Sequence, residues 1–215
     1  MSLPFSIEEF LSIFEAYNRA IWPMQIVLYL LALIAIIFGV RKTAFSNKVI
    51  SGILAFLWLW TGIIYHLSYF TSINQAAYVF GALCIVQGLI FVYTGIFRSS
   101  LSFQFQPDTQ GIVGSIFMLY ALVIYPILGY LLGHIYPASP TFGAPCPTTI
   151  FTFGLLLWTD KAIPKYVLGI PLIWSIVGFT AALSLTIRED FGLLIAGLLG
   201  TLLAFLKRGR PISAT

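Results

Sequence analysis

An all-α integral membrane protein is the fold class this sequence predicts, and three observations predict it. Of 215 residues, 60% are hydrophobic and 8% charged, whereas soluble domains carry about 25% charged residues. Mean hydropathy is +0.98, and stretches long enough to cross a hydrocarbon layer of roughly 30 Å recur along the chain. The basic residues gather in alternate loops, as the positive-inside rule requires of a multi-pass protein. A single membrane domain uses up this length. The net charge of +4 then reflects topology, and nucleic acid is not among the expected partners.

Residues 1–21 read as an amphipathic interfacial helix. Ser6 and Glu9 have the spacing of a capping box, in which hydroxyl and carboxylate satisfy free amides at the helix start. Ile7, Phe10, Leu11, Phe14 and Tyr17 fall on one helical face, with Glu8, Glu9, Glu15 and Arg19 elsewhere. Such a helix lies on the outer membrane surface or on the bundle, as an anchor or as a lid over an outer vestibule. The membrane domain, 22–206, then divides into seven transmembrane helices at 22–40, 49–70, 76–97, 112–136, 147–159, 166–187 and 191–206. Alternate loops carry Arg41, Lys42 and Lys48; Arg98; and Lys161 and Lys165. The tail 207–215 adds Lys207, Arg208 and Arg210, while the opposite loops carry Arg19 and Arg188. The N-terminus is therefore expected outside and the C-terminus in the cytoplasm. No cleavable leader is expected, because the first long apolar run begins after Trp22, behind an acidic segment. Two cysteines make no disulfide framework.

The spans also suggest a parallel 3+1+3 repeat. Pro23 opens the first span and Pro147 the fifth. The second and sixth share a Trp-x-x-x-Gly pattern, as Trp58 with Gly62 and Trp174 with Gly178. The third and seventh share Phe-Gly-x-Leu, as Phe80, Gly81 and Leu83 and as Phe191, Gly192 and Leu194. The halves would be 22–97 and 147–206, joined by a linker helix at 112–136. This layout resembles the SWEET sugar transporters and, more distantly, the microbial rhodopsins. It departs from both. The last span has no buried lysine for retinal, the second has no proline, and the third and seventh have no asparagine. The likeness transfers no substrate.

Over its whole length the chain also resembles a bacterial multi-pass family known as a domain of unknown function. The resemblance rests on Glu15-Ala-Tyr17-Asn18, Tyr65-His66, Gly133-His134-Ile-Tyr-Pro137 and the run from Pro140 to Thr149. It implies a bacterial cytoplasmic (inner) membrane location and no particular activity.

The candidate chemistry is sparse. Glu8, Glu9, Glu15, Asp108, Asp160, Glu189 and Asp190 are the acidic residues, and all fall at loops or span ends. A pump that couples transport to a mid-membrane carboxylate is disfavoured. Metal-dependent hydrolases are disfavoured with two histidines, and no phosphate loop, serine elbow or HExxH is present. An enzyme is therefore the weaker reading.

What stands out is 134–149, which contains Pro137, Pro140, Pro145, Pro147, His134 and Cys146 and no formal charge. The helix expected from Pro147 to Thr159 would be about 20 Å long, short of the roughly 30 Å needed. Cys146 would then sit about 10 Å inside the outer boundary, with irregular backbone dipping in to meet it. A thiol at a helix start is biased towards thiolate. With His66 and His134 on its side of the membrane, it makes a candidate site for a soft metal ion.

Tyr65, Trp174 and Gln87, with Ser175 and Thr180, are candidate lining of a pocket for a neutral solute. Pro23, Pro147 and Pro171 are candidate hinges. Cys84 reads as inert core. The leading expectation is a small-solute transporter or channel, uncoupled, with a neutral or soft-metal substrate and an outward-facing site near Cys146. Two alternatives stay open. One is a metal- or haem-binding redox protein using His66 and His134; the other is a non-catalytic membrane subunit. The partners this implies are the lipid bilayer, a small molecule or ion and, as an open alternative, further copies of the chain. No cofactor is firmly required; a metal ion or haem belongs to the second reading.

Overall fold

The computed structural model describes residues 4–206, and eight helices account for most of them: α1 (Ile7–Ile21), α2 (Met24–Val40), α3 (46–67), α4 (Ala77–Phe97), α5 (Thr109–Leu131), α6 (Pro145–Leu157), α7 (Lys165–Leu185) and α8 (Phe191–Leu206). Among the described residues the only extended pairings are two isolated bridges. Five helical segments are long and apolar enough to cross a membrane. A sixth is obtained if α1 and α2, bent by 86° at Trp22 and Pro23, count as one.

Boundaries differ from the sequence expectation where turn chemistry intervenes. The fourth expected span, 112–136, stops at Leu131, since Gly133 turns the backbone left-handed with φ +93°. His134 therefore lies beyond the helix. The fifth starts at Pro145, two residues before Pro147, because two prolines fit the donor-free first turn of a helix. The basic tail at 207–215 lies outside the described residues.

Two faces of α2 show how the bundle is sorted. Leu28, Ala32, Ala35 and Gly39 are buried, whereas Ile26, Leu30, Leu33 and Ile37 are exposed. Both sets follow helical spacing, and both are apolar, so the outward stripe fits lipid rather than water. Helix α6 has no outward stripe. All its residues but Cys146 are buried, wrapped by α3, α5, α7 and α8. The backbones of α5 and α6 meet at Gly114 and Gly154: a Cβ on Gly154 would lie 2.8 Å from the Gly114 carbonyl. Small residues permit that approach.

The two ends of the bundle differ in character. At one end Lys42 pairs with Asp160 and reaches Ser102 Oγ at 2.9 Å. There Gln104 N–H donates to the Trp158 carbonyl (2.7 Å) and Phe105 N–H to that of Gly39 (2.8 Å). This is the end of the loops that carry Arg41, Lys48, Arg98 and Lys161, and it is called the basic end below. At the other end lie α1, the turn at 68–76, the irregular segment 132–144 and the Arg188–Asp190 turn. The two presumed repeat halves pack differently. In the first, the middle helix α3 lies against both α2 and α4; in the second, the last helix α8 lies against both α6 and α7, which touch each other less.

Candidate ligand site at the α1 end

The Pro/Gly segment is fixed by side chains of α1 and α2. Prolines remove donors, so its carbonyls need partners from elsewhere. Asn18, fully buried, donates from Nδ2 to the carbonyls of Pro137 and Ser139, both at 2.7 Å. Its Oδ1 accepts from Gln25 Nε2 at 2.7 Å and from the Thr141 hydroxyl at 2.9 Å. One residue earlier, the Tyr17 hydroxyl donates to the Gly143 carbonyl (3.2 Å) and accepts from Trp60 Nε1 (2.8 Å). Gly143 has φ +99°, and a side chain there would collide with Leu28. The buried face of α1 is thus Ile13, Phe14, Tyr17, Asn18 and Ile21, rotated from the expected stripe towards the segment it clamps. The capping box forms as expected, with Ser6 N–H on Glu9 Oε2 at 2.8 Å and Glu9 N–H on Ser6 Oγ at 3.2 Å.

Beneath this clamp is a cavity of about 130 Å³. Phe5, Phe10 and Phe14 line it from the α1 side, and Tyr65, Phe70, Phe80 and Trp174 from the bundle. Cys146 and Asp190 form its polar corner, with Tyr125 beside them. Tyr65 and His66 lie in a π-helical stretch at 61–67 that ends α3; such widened turns re-aim side chains and recur at functional sites. Gly178 leaves room next to the thiol, since a Cβ there would lie 3.6 Å from both Cys146 Sγ and Trp174 Nε1.

The acidic residues at 189 and 190 are at a span end, as expected, yet both are inside the protein: Glu189 is 0% and Asp190 4% exposed. They precede α8, whose N-terminal amides favour negative charge. Glu189 Oε1 lies 2.7 Å from His134 Nδ1, and its Oε2 is buried without a partner. Asp190 Oδ1 accepts from the Tyr125 hydroxyl at 2.6 Å. Tyr120 completes the corner by donating to the Glu189 carbonyl at 2.6 Å. Sequence reasoning missed these carboxylates. The available signal was the pairing of two acids with a helix start in so short a connection.

The expected site residues do not all converge. Cys146, Tyr65 and Trp174 share the cavity, as does Thr180. Gln87 does not: it is buried and donates to the Val167 carbonyl at 3.1 Å, in the α4–α7 contact. Ser175 is buried against Gly197. The ligand set of Cys146, His134 and His66 is not assembled, and among the described residues no three His, Cys, Asp or Glu side chains are placed to hold a metal ion. His134 is engaged by Glu189. His66 is fully buried with both ring nitrogens unpartnered, and its ring meets those of Tyr65, Phe70, Phe80 and Trp174 at 5.2, 5.9, 5.8 and 5.0 Å. A haem on His66 would have to displace these rings. Of the candidate hinges, Pro23 forms the α1–α2 corner, Pro147 lies in the first turn of α6 and Pro171 lies inside α7. Cys84 and Cys146 are both free thiols.

Residues 7–213 match a family of unknown function (DUF6064). The chain belongs to that family. The match takes in α1 and the Pro/Gly segment together with the whole helical bundle. No curated protein and no solved structure matches the chain, so the likeness to the sugar transporters rests on the order of spans alone.

Proposed function

We propose that this is a multi-pass membrane protein that takes a small, mostly apolar organic solute into the cavity beneath α1, as the outward-facing site of a transporter or channel. The observation that carries the reading is the cavity itself. Aromatic side chains from five separate parts of the chain line it, and Cys146 and Asp190 form a polar corner beside Tyr125. Largely apolar walls with a few convergent polar groups are the usual form of a small-molecule site. Seven passes, with the α1 end outside and the basic end in the cytoplasm, agree with the clustering of Lys42, Arg98 and Lys161 at one end. In that orientation α1 serves as the lid. Among the described residues no three His, Cys, Asp or Glu side chains converge, so an organic solute suits the cavity better than a soft metal ion. The unlike packing of the two halves favours a gate at α1 over rocking of matched repeats.

The test is uptake into proteoliposomes that contain the Cys84→Ala protein, run over a panel of small radiolabelled organic solutes. Benzyl methanethiosulfonate would then be used to place a benzyl group on Cys146. Saturable uptake that the benzyl group abolishes is the expected result. Uptake no faster than in protein-free liposomes for every solute, or uptake indifferent to the benzyl group, would overturn the proposal.

A further inference from the structure

Resting on that reading, we infer that the cavity selects a small organic ammonium cation. Among the described residues its walls carry no lysine, arginine or histidine, so none of them favours an anion. They do carry Asp190, a carboxylate that is 4% exposed and bonded through Oδ1 to the neutral Tyr125 hydroxyl. Among the described residues Arg19 pairs with Glu15, Lys42 with Asp160 and the His134 imidazole with Glu189. The histidine thus sits on Glu189 and leaves Asp190 without a cationic partner. A carboxyl buried in this way ionises only at a cost, and a ligand of opposite sign offsets that cost. The other groups around it are Tyr65, Tyr120, Tyr125, Cys146 and Glu189, none of them a cation.

The remaining walls suit the same ligand. Phe5, Phe10, Phe14, Tyr65, Phe80 and Trp174 line the cavity, and aromatic rings attract a cation through the negative charge of their faces. Alkylated ammonium groups gain most, since they shed water easily and contact several rings. Size agrees with the head group: an apolar cavity of about 150 Å³ holds the six heavy atoms of benzene, so 130 Å³ accommodates about five, the number in a trimethylammonium nitrogen with its three methyls and one methylene. The sequence alone points to an uncharged pocket because it places Asp190 at a span end, outside the bundle. Its burial changes the sign of the site.

The probes are choline and 3,3-dimethyl-1-butanol, which have the same shape with and without the positive charge. Binding to the full chain in mild detergent is followed by quenching of tryptophan fluorescence and by calorimetry. Choline is expected to bind at least about tenfold tighter than the alcohol, with each charge–ring and charge–carboxylate contact contributing. Asp190→Asn is expected to reduce the preference to what the aromatic rings alone supply, and a preference that survives in full would overturn Asp190 as the partner of the cation. Should that variant fail to fold, the comparison in the unaltered protein decides alone. Equal or tighter binding of the alcohol, or no binding of choline, would overturn the ammonium assignment. The functional reading survives either result if Cys146-blocked uptake of an uncharged solute is found, and falls only with the uptake test.

Discussion

Asn18→Leu should loosen the Pro/Gly segment without dismantling the bundle. The substitution keeps the size of a side chain that is fully buried but removes the four hydrogen bonds it makes with Pro137, Ser139, Gln25 and Thr141. A net contribution of about 1 kcal/mol for each bond gives a loss of roughly 3–4 kcal/mol, concentrated on 137–144. Gln25 retains Thr141 as a partner at 3.1 Å, which favours the lower figure. A local opening made easier by ~3 kcal/mol raises the open population about a hundredfold. Cys146 lies directly beyond this segment, so its alkylation by N-ethylmaleimide in the Cys84→Ala background reports the opening. The expected outcome is a labelling rate about a hundredfold faster under native conditions, with a smaller fractional change in resistance to global unfolding. If labelling stays within about threefold of the parent while the variant remains folded, the Asn18 network does not hold the segment down. The account of α1 as a clamp then fails.

Three further expectations follow from particular contacts. Gly154→Ala places a Cβ 2.5 Å from Met118 Cγ and 2.8 Å from the Gly114 carbonyl; overpacking of this kind costs about 1–3 kcal/mol, to be read as a lower melting temperature in detergent, and an unchanged value would mean that α5 and α6 do not meet there. His134→Ala leaves Glu189 buried without its partner, at a cost of about 3–5 kcal/mol. Adding Glu189→Gln should recover most of that loss, and a double-mutant cycle that shows simple additivity would argue against the pair. At the basic end, burial pushes the Asp160 carboxyl up, but hydrogen bonds from Lys42 and Ser102 and the Lys42 charge outweigh it and hold the group below the usual range. Because the folded value is depressed, its stabilisation is full above the unfolded value of about 3.9 and fades as pH falls through the folded one. The melting temperatures of the parent and Asp160→Asn should therefore differ at neutral pH and converge below about pH 4. A gap that persists into acid would refute the linkage.

Depth along the bundle axis was legible in the sequence, and direction around it was not. Hydropathy and loop charge place a residue at a span end or middle, which is why the short α6, the capped α1 and the position of Cys146 at a helix start all follow from composition and spacing. Whether a side chain faces lipid, core or cavity depends on what covers it. Glu189 and Asp190 sit at a span end and would be wet if α5 and α7 did not close over them. Gln87 has the character of a pocket residue but turns to Val167. The π-helical stretch at 61–67, which carries Tyr65 and His66, left no signal in spacing, because a widened turn changes the phase of a helix and not its composition.

The irregular segment and the cavity have one cause. A 13-residue helix supplies about 20 Å of a layer that needs roughly 30 Å, so α6 cannot reach the α1 end and other backbone must fill the difference. That backbone, 132–144, is rich in proline and short of donors, and in low dielectric its carbonyls must be met by side chains. Asn18 and Tyr17 meet them from above. This explains why the amphipathic helix is docked on the bundle instead of lying free on the membrane surface. Filling with loop and aromatic side chains is less complete than helix-on-helix packing, and the space left over is the cavity. The carboxylates belong to the same construction, since the α8 start lies level with the top of α6 and can bring acids to a corner where helix-end amides favour them. A longer α6 would abolish the loop, the clamp and the cavity together. Shortening one helix is thus how this fold leaves a cavity while its remaining helices stay closely packed.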